Sequence, residues 1–320
     1  MTYVYESLDT IKDLDAIATL SKKIAKVESL SRSSKREIIR LLGISEEGLS
    51  IDAPLYGMNP YVEAFFSAKN TVISPHAIDQ DVGKLISGDL GDNKLLKDFC
   101  QSLQKYTSTP EFKRTIRINR KSELKRENSC SRYIDAHLEN YARLIVVRID
   151  LRLRIDPDKV NFLSDLFIDM ARFWRRLRRD LRESEKIPKP EGFIGKLEHG
   201  HYRGYHFHVM LFFDGSKHQK DVILARMIGE HWKNEVTEGR GDYHNCNATD
   251  PAKYKYYGIG RVEHWDIEKI ENLKFAACYL AKTDYSLNSL NISANRTFFR
   301  GTIPKKKERR GRKRKCNPVF

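Results

Sequence analysis

Long apolar runs are missing from this sequence: nowhere do about 18 apolar residues follow one another, the minimum for a helix that crosses a membrane. The opening stretch MTYVYESLDTIKDLD also lacks the basic-then-apolar order of a secretory signal, so the expected compartment is the cytoplasm. Cysteine is sparse. Cys100, Cys130, Cys246, Cys278 and Cys316 are scattered, odd in number and never paired as Cys-x-x-Cys, which argues against a disulfide framework and a zinc ribbon. No internal repeat is evident. What the sequence does have is positive charge: 58 Lys and Arg against 43 Asp and Glu, a formal charge of +15. A polyanion is the expected partner, nucleic acid ahead of a membrane surface. With 320 residues, 40% hydrophobic and 32% charged, the chain can fold as two ordinary domains or as one with a large extension.

Residues 1 to about 135 read as helical segments broken by turn clusters, an accessory region without a recognisable chemical motif. Ile17–Val27 and Lys35–Leu42 carry helical spacing, Ser31–Ser34 offers capping hydroxyls, and Pro54, Gly57, Asn59 and Pro60 mark a break. A further helix is expected over Asn93–Lys105. Lys113–Arg126 is basic enough to meet phosphate through Arg114, Arg117, Arg120, Lys121, Lys125 and Arg126, although such runs are more often solvated faces.

From Ala142 the texture changes. Leu144–Leu153 has the β-branched density of a strand, with Arg148, Asp150 and Arg152 alternating against Val147, Ile149 and Leu151. The long helix Asp158–Glu183 follows, its Leu163, Leu166, Met170, Phe173, Leu177 and Leu181 forming one stripe for the sheet. Its other side carries Arg172, Arg175, Arg176 and Arg179, which can track a phosphate backbone or simply be solvated. A helix over about Lys217–Val236, a loop over Glu238–Asp250, a strand over Lys253–Glu263 and a helix over Asp266–Thr283 complete the pattern. After Asp284 the chain is polar. The stretch Lys305–Lys315 holds nine basic residues, among them Lys305, Lys306, Lys307, Arg309 and Arg310, and one acid, an expected disordered tether for DNA. The order β, long α, β-hairpin, α, β, α predicts an α+β domain over 136–303, an antiparallel sheet with helices on one face.

The chemistry centres on Gly192–Phe213, where Phe193–His199 and Tyr205–Phe213 flank a polar connection and read as a β-hairpin. His206 and His208 are two apart, so both imidazoles leave one strand face while Phe207, Val209 and Leu211 leave the other. Two nitrogens side by side make half of a divalent metal site. The triplet alone is weak, but four of ten histidines fall between His199 and His208. Glu198, at the end of the partner strand, can join them in a suitable register. The bland alternative is one core histidine among solvated loop ones. On the last helix, Tyr279 and Lys282 lie three apart on one face, shared by Phe275. A phenol near a cation and a metal-polarised phosphate is a nucleophile arrangement, although Tyr-x-x-Lys by itself is uninformative.

The His206-Phe207-His208 strand followed by Tyr279-Leu280-Ala281-Lys282 resembles the HUH endonuclease superfamily of rolling-circle replication initiators and relaxases. More narrowly, Trp232, Gly239-Arg240-Gly241, His244-Asn245-Cys246-Asn247, Tyr257-Gly258-Ile259-Gly260, Tyr279 through Asp284 and Arg296 through Gly301 resemble the inovirus Gp2 and YagK/YfjJ replication proteins, over about Arg143–Gly301. The resemblance implies a ferredoxin-like HUH core, Mg or Mn on His206 and His208, a 5′-phosphotyrosine on Tyr279 and a free 3′-hydroxyl, with Lys282 assisting. It also implies single-stranded or hairpin origin DNA as substrate, a host helicase and polymerase as partners, and filamentous phage or prophage replication in a bacterial cytoplasm. For the third ligand Glu198, His199 and Asp150 are all candidates, Glu198 preferred. Tyr285, six residues after Tyr279, is rotated away and is a secondary candidate. Two rivals stand beside this reading: a non-enzymatic prophage DNA-binding regulator, and a metal oxidoreductase or hydrolase with His-x-His on a barrel strand.

Overall fold

The computed structural model describes residues 2–26, 30–44, 59–73, 94–154, 163–200, 204–282 and 297–306. Among them, residues up to Lys121 form one compact unit and those from Ser122 onward a second. The first unit contains α1 (Thr2–Ile24), α2 (Arg32–Leu42), α3 (Pro60–Val72), α4 (Lys94–Ser108) and the start of α5 (Pro110–Asn140). Local chemistry starts these helices. The Ser31 hydroxyl accepts the Ser34 N–H at 3.2 Å, and Asn59 caps Tyr61 at 3.1 Å with Pro60 in the first turn. Ile17, Ile38, Phe65, Phe99 and Leu103 fill the core, the Phe65 and Phe99 rings meeting edge to face at 5.1 Å. The expected break at Pro54 and Gly57 lies outside the described residues.

The second unit is built on one antiparallel sheet. Its elements are β1 (Arg143–Leu153), α6 (Leu163–Glu183), β2 (Gly192–Gly200), β3 (Gly204–Asp214), α7 (Asp221–His231), β4 (Gly241–Asn245), β5 (Gly260–Glu263), α8 (Ile267–Leu280) and β6 (Phe298–Arg300). The strand order is β4-β1-β3-β2-β6, with β5 also pairing β1. β4 takes Ile149–Leu153 and β5 takes Arg143–Val146 of the same edge. Arg148 falls between the two. There the buried Asn247 side chain accepts the Arg148 N–H at 2.8 Å and donates to the Val146 carbonyl at 3.0 Å and to Asp221 at 2.8 Å. An amide side chain thus satisfies backbone that neither strand reaches.

Helices cover both faces of this sheet, which corrects the expectation of one. On the first face, Leu144, Val146, Ile194, Met210, Phe212 and Val262 pack against Tyr133, Ile134 and Leu138 of α5 and Leu273, Ala277 and Leu280 of α8. On the reverse face Trp174 of α6 stacks on Phe207 at 4.7 Å, and Phe173 meets Trp232, just past α7, at 6.2 Å. The physical reason is visible in β3, where every side chain from Tyr205 to Phe213 is buried: two covered faces need a continuous apolar run rather than alternation.

Four elements of the second unit depart from expectation. β6 arises in the stretch after Asp284 read only as polar. β4 lies within the stretch read as a loop, because β1 offers it an edge. The strand expected over Lys253–Glu263 is only Gly260–Glu263. Ahead of it Gly258 lies so close to the Leu273 backbone that no Cβ would fit, and Gly260 takes a left-handed φ of 82°. The helix expected to Val236 ends at His231 and closes with a π-turn, Trp232–Val236.

Candidate metal centre

β3 is central, and register alone assembles the site around it. Glu198 of β2 pairs with His206, while Asp150 of β1 pairs with His208 on the other side. Directly opposed residues share a face with Cβ atoms about 5 Å apart. The result is a compact cluster in which His206 Nε2 lies 3.1 Å from His208 Nε2, and Glu198 Oε2 lies 3.1 Å from His208 Nε2 and 4.0 Å from His206 Nε2. Ligand atoms of Glu198, His206 and His208 all fall within 4.8 Å of one another. Adjacent ligands about 2.1 Å from an octahedral ion sit about 3 Å apart, so the spacing suits a small divalent cation. These three residues can bind a metal.

Asp150 accepts from His208 Nδ1 at 2.5 Å. That bond fixes the tautomer and leaves Nε2 for the cluster, the role a carboxylate plays behind a metal-binding imidazole. A bare Nε2 lone pair would face the Glu198 carboxylate at 3.1 Å, so that side of the ring favours a positive charge, a proton or a metal ion. Burial opposes the charged ring, but hydrogen bonds to Asp150 and Glu198 outweigh it and raise the His208 pKa to about 9. Burial likewise pushes the Asp150 and Glu198 carboxyls up, yet their bonds to His208 hold both below the ordinary value. Arg148, two residues from Asp150 on the same face, adds positive potential.

The tyrosine helix is fastened to this side of the sheet. Lys196, buried and opposite His208, donates from Nζ to the Lys282 carbonyl at 2.7 Å. Arg126 of α5 donates to the Ala281 carbonyl at 2.7 Å. Two cations therefore satisfy orphan carbonyls where α8 ends. Tyr279 is 50% exposed, with the Lys282 ammonium 5.0 Å from its ring centre. One turn earlier Phe275 is 52% exposed and stacks on the exposed Tyr256 at 4.7 Å, with Lys255 5.3 Å from the Tyr256 ring.

The cluster and α8 both fall within residues 91–299, which match the model of the YagK/YfjJ C-terminal domain family. The chain belongs to that family. The YagK/YfjJ match begins well ahead of Arg143, so the likeness extends further toward the N-terminus than the motifs alone carry it, taking in α4 and α5. No curated protein and no solved structure matches the chain.

Several residues of the YagK/YfjJ motifs serve the fold. Trp232 Nε1 donates to the Arg152 carbonyl at 3.1 Å, Asn245 caps the turn after β4, and Asn247 fills the ladder gap. Of the cations expected on DNA, Arg172, Arg175, Arg176 and Arg179 ride on α6, the layer behind the sheet. Arg172 pairs with Asp169 at 2.8 Å, Arg176 with Glu238 at 2.8 Å and Arg179 with Asp180 at 3.3 Å. Lys305 and Lys306 are exposed, and Asn140 holds the Lys305 carbonyl at 3.0 Å. Lys307, Arg309, Arg310 and Tyr285 lie outside the described residues, as does the His199 side chain. Sequence reasoning missed Lys196 and Arg126 as fasteners of α8. Lys196 carried one readable signal, its two-residue spacing from Glu198 on a strand.

Proposed function

We propose that this protein nicks and rejoins single-stranded DNA at a replication origin by tyrosine transesterification on an HUH-type, ferredoxin-like core. One observation carries the reading: the Lys196 hydrogen bond attaches the end of the tyrosine helix to the strand position opposite His208. The phenol-bearing helix end and the paired imidazoles thereby belong to one side of one sheet. His206, His208 and Glu198 would hold Mg or Mn, which would polarise the scissile phosphate. Tyr279 Oη bonds to phosphorus as the bond to the 3′ oxygen breaks; the phenol gives up a proton and the leaving oxygen gains one. A 5′-phosphotyrosine and a free 3′-hydroxyl result, and reversal rejoins the strand. Lys282, beside the Tyr279 ring, offsets negative charge as the phenol ionises.

The exposed rings support an unpaired substrate. Solvent-facing Tyr256 and Phe275, flanked by Lys255 and Lys282, combine stacking surfaces with backbone-binding charge, the composition that holds single strands. The 3′-hydroxyl primes a host polymerase working behind a helicase, as rolling-circle replication of a filamentous phage or prophage in a bacterial cytoplasm requires.

A labelled single-stranded oligonucleotide carrying the element's origin, incubated with Mn and run on a denaturing gel, tests the proposal. The expected product is a protein-linked fragment that Tyr279→Phe abolishes while DNA binding persists. An adduct surviving in Tyr279→Phe moves the nucleophile elsewhere, Tyr285 first. Tight binding with no adduct in the unaltered protein leaves the non-enzymatic regulator.

A further inference from the structure

Away from the metal centre, one stripe of α5 opens onto a cleft of about 260 Å³ lined by Lys125, Asn128, Ser129, Arg132, Arg300 and Ile303. The four helical residues are spaced at three, four and seven, so they share one side of α5. Three of the six are cations and none is an acid. Arg300 is held in place by bonds from Nε to Ser129 Oγ at 2.8 Å and from a terminal nitrogen to the Gly301 carbonyl at 2.8 Å, its guanidinium 5.3 Å from the Tyr133 ring centre. That leaves part of its five-donor fork unused. The side chains of Lys125 and Arg132 have no hydrogen bond or ion pair among the described residues.

Three like charges around one cleft repel, and an anion between them reverses the sign of that interaction. Pockets that enclose drug-sized ligands run from about 300 to 1,000 Å³, so this cleft suits something smaller, of the size of a phosphate with part of its sugar. Asn128 and Ser129 add neutral polar groups of the kind that meet phosphate oxygens. The same turn of α5 also carries Arg126, whose bond to Ala281 holds the end of the tyrosine helix.

We infer that this cleft grips a backbone phosphate of the DNA strand, a second anchor separate from the metal centre. The identity of the strand rests on the nucleic-acid reading above; the phosphate chemistry does not. An anchor tied through Arg126 to α8 steadies the strand relative to Tyr279 without touching the reacting atoms.

The test is anisotropy of a fluorescent single-stranded oligonucleotide bound by the full-length protein over a range of salt concentrations, comparing wild type with Lys125→Ala/Arg132→Ala. The double variant is expected to bind about tenfold more weakly, with the slope of log affinity against log salt shallower by about 0.7 for each phosphate it no longer neutralises. The charge-keeping Lys125→Arg/Arg132→Lys variant should retain most of the affinity, which a mere packing role for these side chains would not predict. Unchanged affinity and slope in the alanine variant overturn the inference, whatever the gel shows. Absence of a Tyr279 adduct in wild type sinks the nicking reading instead, with the binding comparison still decisive for the cleft. Inorganic phosphate at matched ionic strength should displace the oligonucleotide from wild type and not from the variant, since both occupy the cleft; phosphate that binds wild type, but not the variant, without weakening the oligonucleotide overturns the strand as occupant in favour of a small phosphate compound.

Discussion

His208 gathers more of the site's chemistry than any other single residue. Its Nδ1 proton is committed to Asp150, and its Nε2 sits between Glu198 and His206. With no metal bound, a second proton occupies that position up to the raised pKa of about 9. The sign follows: the folded pKa exceeds the free value of about 6.5, so charged His208 stabilises the metal-free fold fully below pH ~6.5. That support fades as pH rises through about 9. A divalent ion must expel the proton, so Mn affinity should climb about tenfold per pH unit between roughly 6.5 and 9 and then level off. Calorimetric titration in buffers of differing ionisation enthalpy measures both the climb and the released proton; a flat profile removes His208 from the ligand set. Asp150→Asn should weaken Mn binding about 10- to 100-fold while leaving the fold intact, since it unsettles the ring rather than a ligand. His206→Ala with His208→Ala should remove metal-dependent cleavage and spare oligonucleotide binding, read on the same gel and by anisotropy.

At the level of elements, the decisive contact joins a strand to a helix end. Lys196→Met keeps the apolar stem and deletes the ammonium that holds the Lys282 carbonyl, a charge-assisted bond in a buried setting. The expected cost is about 1.5–3 kcal/mol by urea unfolding, with slower adduct formation and no loss of Mn affinity, since the deleted positive charge acts on Glu198 and opposes a bound cation. Equal losses of metal binding and adduct would mean that Lys196 supports β2 generally instead of orienting α8. How far the sequence reveals these elements depends on what stabilises each. β1, β3 and α8 are legible because their own apolar patterns specify them, and alternation alone sets His206 and His208 on one face. β4, with the polar sequence GDYHN, is a strand only because β1 leaves an edge open beside Trp232. β6 is three residues long and depends on β2 for its pairing. Glu198 is within reach of the sequence once a register is assumed. Asp150 as the partner of His208, and Lys196 as the fastener of α8, require the actual register and a helix packed above it, which no local pattern encodes.

Across the whole molecule, the excess of +15 is unevenly free to act. On α6, Arg172, Arg176 and Arg179 each face a carboxylate within 3.3 Å, which cancels much of their field at a distance. Lys125 and Arg132 in the cleft have no such partner among the described residues, and the stretch beyond Lys306 concentrates basic residues around a single acid, Glu308. Binding to a polyanion should therefore draw on the cleft and the C-terminal stretch and hardly on α6, although α6 is the more conspicuous basic helix in the sequence. Truncation after Lys306 should make the salt dependence of oligonucleotide affinity distinctly shallower, by about 0.7 in log–log slope for each phosphate released. Adduct formation at low salt should survive, because none of the removed residues belongs to the metal centre or to α8. Arg172→Ala with Arg176→Ala should change affinity less than about twofold, the scale of a screened surface pair. A larger loss from the α6 pair than from the truncation would place the DNA path on the layer behind the sheet, and with it remove the argument that the strand runs over the imidazole face.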